Sequence, residues 1–213
     1  MAVVELRRMG RLLRALEEEH LAVKLERMSK LIHEAIQKHG IVERNGERVY
    51  AYEVDGYGNS LFMDDANVPS LISLPYVGYV ASNDPVYLRT RKMLLSERWN
   101  PYFYRGKMGV YSGVGSPHTP HRYVWPMGLA LRILTSNSEK ECKNLLEELT
   151  SSTQGTYEMH ESFSVDDTQR YTRAWFAWAD GLFGQAVMDL VDRYPEWMLK
   201  SEKKSNESEK GAS

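Results

Sequence analysis

The chain has 213 residues, a length that suits one domain or at most two, and 27 Lys+Arg against 29 Asp+Glu leave a formal charge of −2. No basic stripe of the kind nucleic acid requires is present, so a nucleic-acid partner is not expected. With 42% hydrophobic and 11% aromatic residues the chain carries enough apolar surface to build a core, which excludes a wholly disordered polypeptide.

No run of about eighteen apolar residues occurs, so no membrane span is expected, and the N-terminus lacks the apolar stretch of a signal peptide. The compartment stays open. The single cysteine, Cys142, has no partner for an internal disulfide and no Cys/His spacing for zinc; it reads as a small buried hydrophobe in a reducing setting.

Apolar residues advance by three and four along Leu6, Met9, Leu13 and Leu16, and again along Leu21, Leu25, Met28, Ile32 and Ala35. These predict two amphipathic helices folded as an antiparallel hairpin that stops near His39–Gly40. From Glu47 to Leu61 apolar and polar residues alternate before the turn Asp55-Gly56-Tyr57-Gly58-Asn59, the pattern of a small β-excursion. A helix is expected over Val68–Tyr79 with Pro69 in its first turn, and another over Val86–Ser96, capped by Asp84 with Pro85 at its first position. A Gly-rich loop, Gly106–Pro120, precedes a predicted helix over Tyr123–Leu134. Ser138 caps the next, through Leu149, and Asp167/Thr168 opens a long last helix to about Arg193, with Asp166 and Asp167 as its cap and Trp175, Trp178, Leu182, Ala186 and Leu190 as its core stripe. The Ser, Glu and Lys tail 201–213 is expected to be disordered, and residues 1–200 to form one unit.

Numbered in order, these seven helices are joined alternately by short links and by long ones, the long ones running 40–67, 97–122 and 150–167. In an antiparallel helical array such loops emerge at one end, so all three are expected to share a face. They carry Asp64-Asp65-Ala66-Asn67, Ser116-Pro117-His118-Thr119-Pro120 and Met159-His160-Glu161-Ser162-Phe163. Carboxylates, imidazoles, an amide and aromatic rings, without a cysteine nucleophile or a nucleophile-elbow serine, suit glycosidic chemistry: two carboxyl groups perform it while polar groups and rings bind the sugar.

The runs Tyr50–Gly56, Met63–Leu71, Gly115–Pro120, Met159–Phe163 and Tyr171–Trp178 closely resemble glycoside hydrolase family 125, in order and over about residues 2–199. The resemblance implies an all-α (α/α)6 barrel of six-hairpin type, and an inverting exo-α-1,6-mannosidase acting on mannose-containing oligosaccharides or glycans without a cofactor. It makes Glu161 the general base. The family's general acid, an aspartate in an Arg-Pro-Ser-Asp-Asp type motif, falls upstream of Ala2. The chain is therefore expected to be the C-terminal portion of the enzyme, inactive on mannosides and poorly soluble alone, with a missing N-terminal half as its partner.

Beside Glu161, the expected substrate-binding residues are Asp64, Asp65 and Asn67, with the division of labour among them left open, together with His118, Thr119, His160, Tyr57 and Arg173. The Asp64-Asp65 pair also suits a cap for the Val68 helix. His118 is directed by its flanking prolines. His118 and His121 admit a metal pair with Glu161, but Pro120 breaks helical spacing and no third ligand is suitably placed, so no metal is expected. Trp175 and Trp178 read as core, whereas Tyr57 reads as an exposed ring for sugar stacking. A non-catalytic carbohydrate-binding or scaffold protein is the alternative from another class, distinguished by mannose binding without turnover.

Overall fold

The computed structural model describes residues 1–197; the expected tail at 201–213 lies outside them. The protein is helix-rich with small sheets. Its elements are α1 (Ala2–Ala15), α2 (Glu19–Ala35), a π-helical turn (Ile36–Gly40), β1 (Ile41–Arg44), β2 (Glu47–Tyr50), β3 (Glu53–Val54), β4 (Ser60–Leu61), α3 (Pro85–Leu94), β5 (Phe103–Arg105), β6 (Ser112–Val114), β7 (Tyr123–Val124), α4 (Pro126–Thr135), α5 (Glu139–Ser151), β8 (Ser162–Ser164), β9 (Asp167–Thr172) and α6 (Ala177–Arg193). The strands pair as β1-β2, β3-β4, β5-β6 and β7-β8-β9, every pairing antiparallel.

The α1–α2 hairpin forms as expected. Its helices approach closely at Gly10, where a Cβ would stand 3.0 Å from the Glu26 side chain and 3.4 Å from the Ala22 carbonyl. The Ser29 hydroxyl donates to the Val3 carbonyl at 2.7 Å, and Tyr79 ties the far end of the hairpin to the body through His33. Much of the apolar stripe is not buried: Met9, Leu12, Leu16, Leu21, Met28 and Leu31 are all exposed.

The β-excursion begins earlier than the alternation suggested. Arg44 pairs with Glu47 across Asn45-Gly46, both at positive φ (52° and 75°), a two-residue hairpin of the type Asn-Gly favours.

Three expected helices are corrected. Val68–Tyr79 is a run of turns, because the Asp64 carboxylate takes the amides of Leu71 and Ile72, Ser70 and Ser73 bond each other, and Pro75 has no amide to give to a helical ladder. Among the described residues there are six α-helices, not seven. The helix expected from Tyr123 begins at Pro126, since Tyr123–Val124 pairs with β8. The last helix starts at Ala177, not at Asp167: Asp167–Thr172 is strand β9, and Asp166 is ion-paired with Arg122 rather than capping a helix. The shift carries Trp175 off the helix, and Trp175 and Trp178 are 63% and 68% exposed rather than core. The buried stripe of α6 is Ala179, Leu182, Ala186 and Leu190, which packs on α4.

Helix α4 is the centre of the core. Eight of its ten residues are buried, among them Leu129, Leu131 and Ile133, with α5 and α6 against it. Its C-terminal carbonyls are closed by the Arg193 guanidinium, which donates to Ile133 O (3.0 Å) and Ser136 O (2.7 Å). Glu141 at the start of α5 accepts from Arg91 of α3 (2.7 Å), Arg132 of α4 (3.1 Å) and Ser136 (2.7 Å), joining three helices. Cys142 is fully buried beside Ile133, and burial pushes its thiol pKa up. No helix among the described residues is long and apolar enough to cross a membrane.

Candidate active site

Although one expected helix is absent, backbone bonds bring the three long loops together. The Ala66 amide donates to Gly115 O at 3.1 Å, joining the first loop to the second, and Gly115 lies so close to Tyr123 that a Cβ would stand 2.2 Å from its carbonyl oxygen. The second joins the third where β7 pairs with β8, extended by Val165 N donating to Arg122 O at 3.1 Å.

The first loop is wound around Asp64, which is 1% exposed. Its two carboxylate oxygens accept from Leu71 N (2.8 Å) and Ile72 N (2.9 Å), and its own amide donates to Asn100 Oδ1 (3.2 Å). Burial pushes the Asp64 pKa up to about 7, although the amides of Ile72 and Leu71 pull the other way. The carboxylate does serve as a cap, but for a turn and not for a helix. Asp65, mostly buried, accepts from both the backbone and side-chain nitrogens of Asn67 (3.1 and 3.0 Å), closing an Asx turn with Asn67 half-buried.

In the second loop the Ser116 hydroxyl accepts from His118 N (3.3 Å), and Thr119 Oγ1 accepts from the Trp125 indole (3.0 Å) while donating to Ser116 O (3.4 Å). His118 and His121 are exposed, and His121 lies edge-on to Tyr104 at 5.0 Å. Among the described residues no three His, Cys, Asp or Glu side chains gather where an ion would sit.

Glu161 enters β8 with its side chain only 14% exposed. Its amide donates to Arg173 O (3.3 Å), and the Arg173 Nε lies 3.5 Å from its carboxylate. The Arg173 guanidinium is itself largely solvated and stands over the Phe176 ring at 5.5 Å. His160 faces the interior: it is 1% exposed, stacked on Tyr171 at 3.8 Å between centroids, with Nδ1 2.7 Å from Ala174 O. A carbonyl only accepts, so Nδ1 carries the proton.

Asp180 escaped the sequence reading. Its Oδ1 accepts from Met159 N at 2.8 Å while Met159 O accepts from Phe176 N at 2.9 Å, so the first turn of α6 grips the chain two residues before Glu161. The only sequence signal was a carboxylate in the first turn of an apolar helix, which ordinarily means a solvated end. Tyr57 is brought to none of this by packing: it stands 93% exposed at the β3–β4 turn, held by its amide to Asp55.

The arrangement offers one carboxylate held at a loop junction beside a cation, with amide, hydroxyl and imidazole groups on adjoining loops. That set suits binding a polyol and activating a water molecule. Over residues 1–188 the sequence matches the family described as metal-independent alpha-mannosidase (GH125). A curated relative, the meiotically up-regulated gene 157 protein of Schizosaccharomyces pombe, is 48% identical over 202 residues, which cover 94% of this chain and 39% of the relative. A solved structure from Streptococcus pneumoniae is similar with a TM-score of 0.86 and 42% identity, covering 90% of this chain and 45% of that one. It is described as a metal-independent α-mannosidase in a non-productive complex with α-1,6-mannobiose. The chain thus spans about two fifths of the curated relative and less than half of the solved one.

Proposed function

The chain belongs to the metal-independent α-mannosidase family GH125, and from that premise we propose that it serves the hydrolytic removal of non-reducing-end α-1,6-linked mannose from oligosaccharides or glycans, by inversion. Its helices are then part of an (α/α)6 barrel whose site end is the junction of the three loops.

The observation that carries the reading is the placement of Glu161, a carboxylate of low exposure anchored at its own amide by Arg173 O and flanked by the Arg173 guanidinium. Glu161 is the general base: it takes a proton from the water that attacks the anomeric carbon opposite the leaving group. An inverting site spaces its acid and base by about 6.5–9.5 Å to admit that water. The general-acid motif of the resemblance is not among these 213 residues.

Asp65 and Asn67, turned into one Asx unit, and Thr119 and His118 supply hydroxyl contacts from the first two loops. Asp64 acts at one remove, since both its oxygens already hold backbone amides. His160 orients the Glu161 strand through Ala174 and Tyr171. The exposed indole of Trp175 offers a sugar face nearer to Glu161 than Tyr57 does in the chain.

An aryl α-mannoside with a dinitrophenolate leaving group tests the base by itself, because that leaving group departs without a proton. Whereas mannosides with ordinary leaving groups are expected to remain uncut by the chain, this one should release dinitrophenol with β-mannose as first product, and Glu161→Gln should reduce the rate by about 10²–10⁴-fold while binding of α-1,6-mannobiose persists. Equal rates for the two proteins overturn the reading.

A further inference from the structure

A groove of about 530 Å³, within the usual size of ligand clefts, opens beside the β8–β9 turn. Six side chains give it its character: Lys107, Met108, Tyr111, Gln154, Thr168 and Gln169.

Its walls are tied together by backbone. The Asp166 carboxylate accepts from Lys107 N (2.9 Å) and from the Arg122 guanidinium (2.8 and 3.1 Å), which holds its pKa down to about 2. Gly106 meets the β8–β9 turn so closely that a Cβ would lie 2.3 Å from Val165 O, an approach only glycine allows. The Tyr111 hydroxyl bonds Ser151 (3.1 Å), its ring stands edge-on to Phe163 of β8 at 5.4 Å, and the Gln154 amide is bonded to Thr168. The floor is thus fixed before any ligand arrives.

The chemistry of the lining narrows the occupant. Asp166 is neutralised by Arg122, and Lys107 and Asp167 add one charge of each sign to the lining, so the groove carries no net charge that would select an anion or a cation. Two carboxamides, a threonine hydroxyl, an aromatic ring and a thioether bind neutral polyols, through hydroxyl hydrogen bonds and contact with C–H faces. The groove is also close in the chain to the candidate base. Glu161 is followed by β8 and then by Val165, a groove residue, four positions on; at about 3.3 Å per residue the two lie at most about 13 Å apart along the strand. A mannoside bound at Glu161 and extended by further units is of a length to reach the groove.

We propose that this groove is a distal glycan subsite that holds sugar units of the same substrate several residues from the bond at Glu161, making the chain selective for extended or branched mannosides. The proposal rests on the mannosidase reading and adds the length of the substrate to it.

The test compares α-1,6-mannobiose with a linear α-1,6-mannopentaose by calorimetry and by amide NMR shifts on this chain. The pentaose should bind at least about tenfold tighter, shifting amides at both the Glu161 loop and Lys107–Met108. The double variant Met108→Ala, Gln169→Ala, at two exposed positions, should abolish that gain and leave mannobiose binding unchanged. Equal affinity for the two sugars, or a gain that survives the double variant, overturns the distal subsite while leaving the mannosidase reading intact. No shift at the Glu161 loop with either sugar overturns the mannosidase reading and the subsite with it.

Discussion

Glu161 and Arg173 are joined twice, once by backbone, with the Glu161 amide on the Arg173 carbonyl at 3.3 Å, and once by side chain, with Nε 3.5 Å from the carboxylate. The two links separate stability from function. Because the guanidinium is 65% exposed, its ion pair contributes at most a fraction of a kcal/mol to folding, about 0.2–1 for pairs of this kind. Arg173→Met should therefore shift Tm by less than about 4 °C. In the dinitrophenyl mannoside assay it should nevertheless lower kcat/KM by tenfold or more, since the backbone link keeps the loop in place and only the aim of the carboxylate is lost. A variant as active as the parent would show that Arg173 does no more than shield the loop.

Asp64 makes stability depend on pH in an uncommon direction for a carboxylate. Its pKa is about 7 in the folded chain against an ordinary 3.8, so between those values the folded state retains a proton that the unfolded state has lost. The stabilisation is complete below pH 4 and is lost as pH rises through 7, by on the order of 4 kcal/mol for about three pH units. Asp55 and Asp166, whose pKa values are depressed, act in the opposite sense. The measurement is thus the difference in urea-unfolding free energy between the parent and Asp64→Asn, which should decrease steadily from pH 4 to pH 7. A constant difference would mean that Asp64 is ionised in the fold throughout.

What the sequence disclosed and what it concealed follow from the range of the interactions. The α1–α2 hairpin, the Asp84 and Ser138 caps and the β-excursion depend on neighbours a few residues apart, and they were legible. The turns at 68–79 were not, because they are organised by Asp64 from outside the segment. The strand at 167–172 was not, because its partner is β8, and an Asp-Asp pair read as a cap is equally at home in a strand-to-strand turn. Trp175 and Trp178 are exposed for the same reason: the helix starts at Ala177, ten residues beyond Asp167, so Trp175 lies before it and Trp178 in its first turn. The loops that carry the candidate site were legible as motifs, but Asp180, which acts on Glu161 only through the Met159 amide, had no local pattern to announce it.

Glu141 should be the most sensitive carboxylate in the helical core. Burial alone would raise its pKa, but the guanidiniums of Arg91 and Arg132 prevail and hold it below the ordinary value. Arg132 has a side chain only 12% exposed, so Glu141→Ala leaves a buried cation with its Ser112 carbonyl contact, no ion pair and only the more distant Glu148 as countercharge. The expected loss is about 3–5 kcal/mol by urea denaturation, the range for breaking one side of a buried pair. Lys143→Ala, on the same helix and paired with exposed Glu139, is the control and should lie within about 0.5 kcal/mol of the parent.

Gly115 tests whether the loops act as one site, since it is where the first two meet. A Cβ there would lie 2.2 Å from the Tyr123 carbonyl and 2.9 Å from the Tyr104 ring; the ring can rotate aside, but the carbonyl belongs to β7 and cannot move without disturbing β8. Gly115→Ala should cost about 1–3 kcal/mol, as overpacking of a tight contact does. Its larger effect should be on mannobiose binding, because the displaced Gly115 carbonyl holds Ala66, the residue between Asp65 and Asn67. Gly109→Ala, elsewhere in the second loop at a position with open space and φ of 71°, strains the backbone locally without reaching the junction at Gly115. If both variants lost stability but only Gly115→Ala lost mannobiose affinity, the first and second loops would form one binding unit; equal retention of affinity would mean that Asp65 and Asn67 lie outside it.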